Sequence, residues 1–81
     1  MTFAQFQDVI LAADVPQASL FAGDVGTVVE RHVVVGREDG YSVEFFDMTG
    51  KTVAVIVMPA SYLRVPTHCD RPCSRTLAAA S

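Results

Sequence analysis

The chain has 81 residues, of which 51% are hydrophobic and 19% charged, a balance that suits one small globular domain and excludes an intrinsically disordered chain. Its net charge is −3, and residues 1–65 carry eight acids against four bases, a field that disfavours phosphate backbones as partners. No apolar run approaches the roughly 20 residues needed to cross a membrane as a helix. The opening MTFAQFQDVIL has no basic leader region and places Asp8 within its apolar part, so the expected compartment is the cytoplasm.

Phe3 and Phe6, three positions apart, allow a short helical turn over residues 2–7, and residues 6–13 (FQDVILAA) read as a first strand with Val9 and Leu11 facing inward. Residues 14–23 form a loop marked by Pro16 and Gly23, in which Leu20 and Phe21 fold back over one end of the core. The stretch FAGDVGTVVE then poses a choice. A loop that cradles phosphate needs a following helix and usually a lysine, whereas here Thr27-Val28-Val29 is a poor helix start and the nearest lysine is Lys51. Gly23 and Gly26 are therefore assigned to the backbone angles of a turn or bulge. Asp24 bonds its own backbone in an Asx-turn, and Val25 is the first side chain to enter the core.

Residues 25–35 (VGTVVERHVVV) make a long second strand that ends at a polar, glycine-bounded tip, residues 36–40. In YSVEFFD, residues 41–47, alternation puts Tyr41, Val43 and Phe45 on one face. In KTVAVIVM, residues 51–58, it puts Val53, Val55 and Val57 on one face and Thr52, Ala54, Ile56 and Met58 on the other. The link Met48-Thr49-Gly50 is a tight turn, with Gly50 at the position that needs positive φ, so the two runs form a hairpin. Pro59 stops the fourth strand, and residues 60–65 (ASYLRV) fit a short helical turn followed by a last strand. Past Pro66 the periodicity disappears. The expected architecture is an all-β, five-stranded SH3-like barrel over residues 1–65 with a flexible tail over 66–81, an open five-stranded meander being the alternative.

Three stretches carry a family resemblance: Gly23 to Glu30 (GDVGTVVE), Tyr41 to Asp47 (YSVEFFD) and Gly50 to Val55 (GKTVAV). Together with Asp8-Val9, Asp14-Val15-Pro16, Leu20 and Leu63-Arg64, they resemble a family of small bacterial proteins known as domain of unknown function 4926. The resemblance spans roughly residues 6–65 and implies an SH3-like barrel in a stand-alone chain or small accessory protein. It brings no catalytic residues, and it implies an antitoxin-like relation to a protein partner. The long second strand and the cysteine-bearing tail depart from the family pattern. A weaker likeness, over residues 20–30 and 41–47, is to the barrel domain of the nitrile hydratase β subunit, and it implies an accessory role beside a metal enzyme.

The residues themselves offer little chemistry. His68, Cys69 and Cys73 fall short of the four ligands of a structural zinc site, and a Cys69–Cys73 disulfide does not suit a reducing compartment, so no metal and no cofactor is expected. No nucleophile, base and oxyanion donor can be assembled, so no enzyme is expected. What remains is a surplus of apolar residues. If Tyr41, Val43, Phe45, Val53, Val55 and Val57 fill the barrel, then Phe46, Ala54, Ile56 and Met58 face outward as a partner-binding patch unless Phe3, Phe6 or Leu77 covers them. The function this implies is a non-catalytic interaction module that binds a basic protein partner or a second copy of itself. The alternative is a nucleic-acid-binding barrel of the translation-factor type using Arg31, Arg37, Arg64, Arg71 and Arg75.

Overall fold

The computed structural model describes residues 2–74 and 76. Five strands, β1 (Asp8–Leu11), β2 (Val25–His32), β3 (Gly40–Phe46), β4 (Thr52–Pro59) and β5 (Leu63–Arg64), form one antiparallel sheet in the order β4-β3-β2-β1-β5. Two 3-10 turns, Pro16–Ala18 and Ala60–Tyr62, interrupt the run, the second leading straight into β5. The sheet curls over its core as a half-barrel, and the domain is an all-β, small SH3-like barrel. No helix among the described residues is long and apolar enough to cross a membrane.

Two β-bulges shape the curl. Between β2 and β3 the pairing passes from Val28↔Val43 to Glu30↔Ser42, so Val29 is an extra residue in β2. Between β3 and β4 it passes from Phe45↔Ala54 to Phe46↔Thr52, so Val53 is an extra residue in β4. Strands bend and twist at such insertions, which is how a short sheet rolls over a core. The core it encloses comprises Phe3, Val9, Leu11, Val15, Leu20, Val28, Tyr41, Val43, Phe45, Met58 and Leu63.

Tyr41 closes the open end. Its ring is fully buried and meets Phe3 edge to face at 5.3 Å, and its phenolic oxygen accepts the Phe3 backbone N–H at 3.0 Å. The N-terminal segment thereby becomes a lid, pinned further by Phe6 N–H to the Val28 carbonyl, Val28 N–H to the Gln7 carbonyl, and the Gln5 amide to the carbonyl of bulge residue Val29. The lid is a turn with Phe6 at positive φ, and its exposed Phe6 leaves the coverage to Phe3 alone.

Several local expectations change. β2 ends at His32, and Val33, Val34 and Val35 stand exposed beyond it. Leu20 is buried, but Phe21 is exposed. Val25 faces solvent, because β2 enters the core first at Gly26 and Val28. Gly23 (φ +100°) and Gly50 (φ +87°) occupy the positive-φ turn positions, whereas Gly26 is a spacing requirement: a Cβ there would lie 2.6 Å from Val43 Cγ1 and 3.1 Å from the Glu44 carbonyl oxygen. The Asp24 carboxylate accepts the Phe21 N–H behind it.

Two substitutions test this packing. Gly26→Ala crowds a rigid core valine and a neighbouring backbone, and should destabilise the domain by about 1–3 kcal/mol. Tyr41→Phe keeps the ring but strands the buried Phe3 N–H, and should cost about 1–3 kcal/mol. Urea unfolding reads both as a lowered midpoint at unchanged slope. A Tyr41→Phe midpoint equal to wild type would mean that water reaches Phe3 N–H and the N-terminal segment is no lid.

Candidate partner-binding face

The β3–β4 ladder decides which residues reach solvent. Phe46 pairs Thr52, and a ladder continuing in that register would set Phe45 opposite Val53, Val43 opposite Val55 and Tyr41 opposite Val57. The bulge at Val53 shifts it by one, so that Phe45 faces Ala54, Val43 faces Ile56 and Tyr41 faces Met58. Directly opposed residues share a face, and a one-residue slip exchanges the two faces of a strand. The expectation for β4 is therefore reversed. Met58 is 4% exposed in the core, and Ile56 is half-buried and packs against it, as Ala54 is half-buried on the same side. Of the four residues assigned to the patch, only Phe46, 43% exposed, lies on the outer face.

The outer face belongs to Val53, Val55 and Val57 instead, with Val55 and Val57 55% and 65% exposed on the edge strand. Sequence alternation could not reveal this, since both faces of β4 are apolar. The bulge is the missing signal, and only pairing with β3 reveals it.

Across the sheet the outer face continues in a row of register partners, Val55, Glu44, Thr27 and Asp8. The two carboxylates in this row are held by threonines on neighbouring strands. Thr52 Oγ1 donates to Glu44 Oε2, and Thr27 Oγ1 donates to Asp8 Oδ1 at 2.9 Å. Among the described residues neither carboxylate meets a cation there. Arg31 lies instead 2.7 Å from Asp39 at the other end of β2. The face is thus apolar and acidic together.

His32 also lies on this side. Its Nε2 is 2.8 Å from Ser42 Oγ and 3.9 Å from Glu30 Oε1. A nucleophile relay needs the carboxylate on the imidazole's other nitrogen, so this trio does not match one.

Beyond β5 the chain turns back along the sheet. Asp70 organises the turn: its carboxylate accepts both guanidinium branches of Arg64 at 2.7 and 2.9 Å, the Thr67 N–H at 2.7 Å and the Thr67 hydroxyl at 3.1 Å. Arg64 is a β5 residue paired with Ile10 of β1, so this fork ties the arm, residues 66–74, to the sheet. Between arm and sheet lies a groove of about 830 Å³ floored by Ile10, Val25, Phe46 and Val53. Cys69 and Cys73 are exposed free thiols, with Cys69 Sγ 3.5 Å from His68 Nε2, and no three metal-ligating side chains converge among the described residues. Arg75 and Leu77 lie outside the described residues. Gly23, Asp24, Gly26 and Gly50 all serve the fold, Gly23 and Asp24 also bordering the groove.

The family model described as Domain of unknown function (DUF4926) matches residues 5–65. No curated protein and no solved structure matches, so the likeness to the nitrile hydratase β subunit gains no support.

The Arg64 fork, followed by the Thr67 N–H, holds the Asp70 carboxyl well below the usual carboxylate range. A carboxyl whose pKa falls on folding contributes stability that is complete above its unfolded value, about 3.9, and is lost as pH falls toward the folded one. In Arg64→Gln, the carboxyl resonance of Asp70 should titrate markedly closer to that unfolded value by NMR. An unmoved titration would show that the fork does not hold the arm in solution.

Proposed function

The chain belongs to the DUF4926 family, a domain of unknown function, and from that premise we propose that it is a non-catalytic protein-interaction module of the cytoplasm that engages its partner through the outer face of β3 and β4. The carrying observation is Val55 and Val57, more than half exposed at alternate positions on an edge strand, with Phe46 exposed on the neighbouring strand. Contiguous exposed apolar side chains on so small a domain support an interface. The free edge of β4 adds a row of backbone groups to which an extended segment can bond.

The charge pattern supports a basic partner over a second copy. Among the described residues no cation pairs with Glu44 or Asp8 in the face, and the chain's net charge of −3 would set two copies against each other. This agrees with an antitoxin-like or accessory role. Nucleic acid is the weaker alternative, because Arg31 and Arg64 are engaged by Asp39 and Asp70.

Val55→Asp should abolish capture of partners from a lysate of the source cell while changing the unfolding free energy by less than about 1 kcal/mol, since the site is exposed. Val35→Asp, at a fully exposed valine off the sheet, should leave capture intact. Identical captured proteins for wild type and Val55→Asp would overturn the reading.

A further inference from the structure

The groove under the arm leads directly onto the proposed interface, since Phe46 and Val53 belong to both. Its floor crosses the sheet, from Ile10 on β1 through Val25 on β2 and Phe46 on β3 to Val53 on β4. Alternation explains the composition. Val9 and Leu11 enter the core, so Ile10 points to the opposite side, where it is nonetheless only 4% exposed. Four strands at about 4.8 Å spacing span roughly 15 Å, the length of four to five extended residues.

Among the described residues the rim carries more acid than base. Asp8, Asp24, Asp47 and Asp70 border the groove against two guanidiniums, Arg64 and Arg71. Arg64 and Asp70 neutralise each other in their fork, and Arg71 turns its Nη1 to the carbonyls of His68 and Asp70, so that among the described residues Asp8, Asp24 and Asp47 stand against one cation. Hydrogen bonds from Thr49 and the Lys51 N–H lower the pKa of Asp47, which keeps it anionic.

We infer that this groove takes a short extended cationic segment of a partner protein, with apolar side chains on the Ile10–Val25–Phe46–Val53 floor and lysine or arginine side chains on the aspartate rim. This rests on the reading of the domain as a protein-interaction module and adds to it the chemistry of the bound segment. The arm is then a wall of the site, and the Arg64–Asp70 fork positions that wall. A second copy of the chain does not fit as occupant, since its own surface is acidic. A membrane does not either, because a groove walled on one side by the arm is concave.

The test uses the full chain and two blocked five-residue peptides, Lys-Leu-Lys-Leu-Lys and Glu-Leu-Glu-Leu-Glu, followed by amide and methyl NMR titration. The expected result is that the lysine peptide shifts Ile10, Val25, Val53 and arm resonances, binds at least ten-fold tighter than the glutamate peptide, and weakens as salt rises. Asp8→Asn, which keeps an acceptor for Thr27, should weaken the lysine peptide several-fold, and Asp70→Asn should weaken it while displacing the arm resonances. Equal affinity for the two peptides, no binding, or shifts confined to Val55 and Val57 would overturn the inference. So would a dimer by sedimentation that protects Val53. None of these outcomes touches the Val55→Asp capture result, so a failed groove and a failed interaction module are told apart.

Discussion

The pairing of β3 with β4 is the constraint from which the rest of this domain follows. Tyr41, Val43 and Phe45 bring three large side chains to the inner face, and their partners Met58, Ile56 and Ala54 must share it. Only the extra residue at Val53 makes that register compatible with a turn that starts from Phe46↔Thr52. The turn is itself tightly specified: Asp47 Oδ1 accepts the Thr49 N–H, the Thr49 hydroxyl and the Lys51 N–H, and Gly50 supplies the positive φ. A well-packed inner face and a fixed turn together leave the bulge as the means of reconciling them. The exposed valines of β4 are the consequence.

The same economy governs the N-terminus. A five-stranded sheet of this size cannot enclose its core alone, and the sheet order leaves β4 and β5 as edges. Phe3 fills the gap, held by one phenolic oxygen that doubles as the acceptor for its backbone N–H. An aromatic pair with edge-to-face geometry adds about 0.5–1.5 kcal/mol to the area it buries. In a domain whose total stability is small, that contact and its hydrogen bond are a substantial share.

Much of the fold is legible in the residues. Alternation locates β1, β3 and β4, the glycine-bounded tips locate the turns, and the inward set of Tyr41, Val43, Phe45, Val9 and Leu11 matches the core. What alternation cannot supply is the sign of β4. TVAVIVMP is apolar at every position from Val53 to Met58, so neither face identifies itself. Phe46 was identifiable as outward because it alternates with Phe45, and Met58 was not identifiable as core because its face depends on the bulge at Val53 earlier in the same strand. The role of Gly26 was hidden for a related reason: its need is for space against Val43, not for an unusual φ. The groove was illegible altogether, because it depends on an ion pair between Arg64 and Asp70 in a segment without periodicity.

The edge itself bears on what the domain does. Natural sheets shield an exposed edge with a lysine, a proline, a bulge or an inward charge. β4 has Lys51 just before it, Pro59 at its far end and a bulge at Val53, which leaves Val55, Ile56 and Val57 as an unshielded centre. An edge protected at both ends and open in the middle suits the proposed binding of one short extended segment and discourages indefinite sheet extension. The acidic row beside it acts in the same direction, since the carboxylates of Asp8 and Glu44 repel another copy of the same face and attract a basic one. In the proposed reading, apolar adhesion and charge selection occupy one surface, and the second limits what the first would otherwise bind indiscriminately.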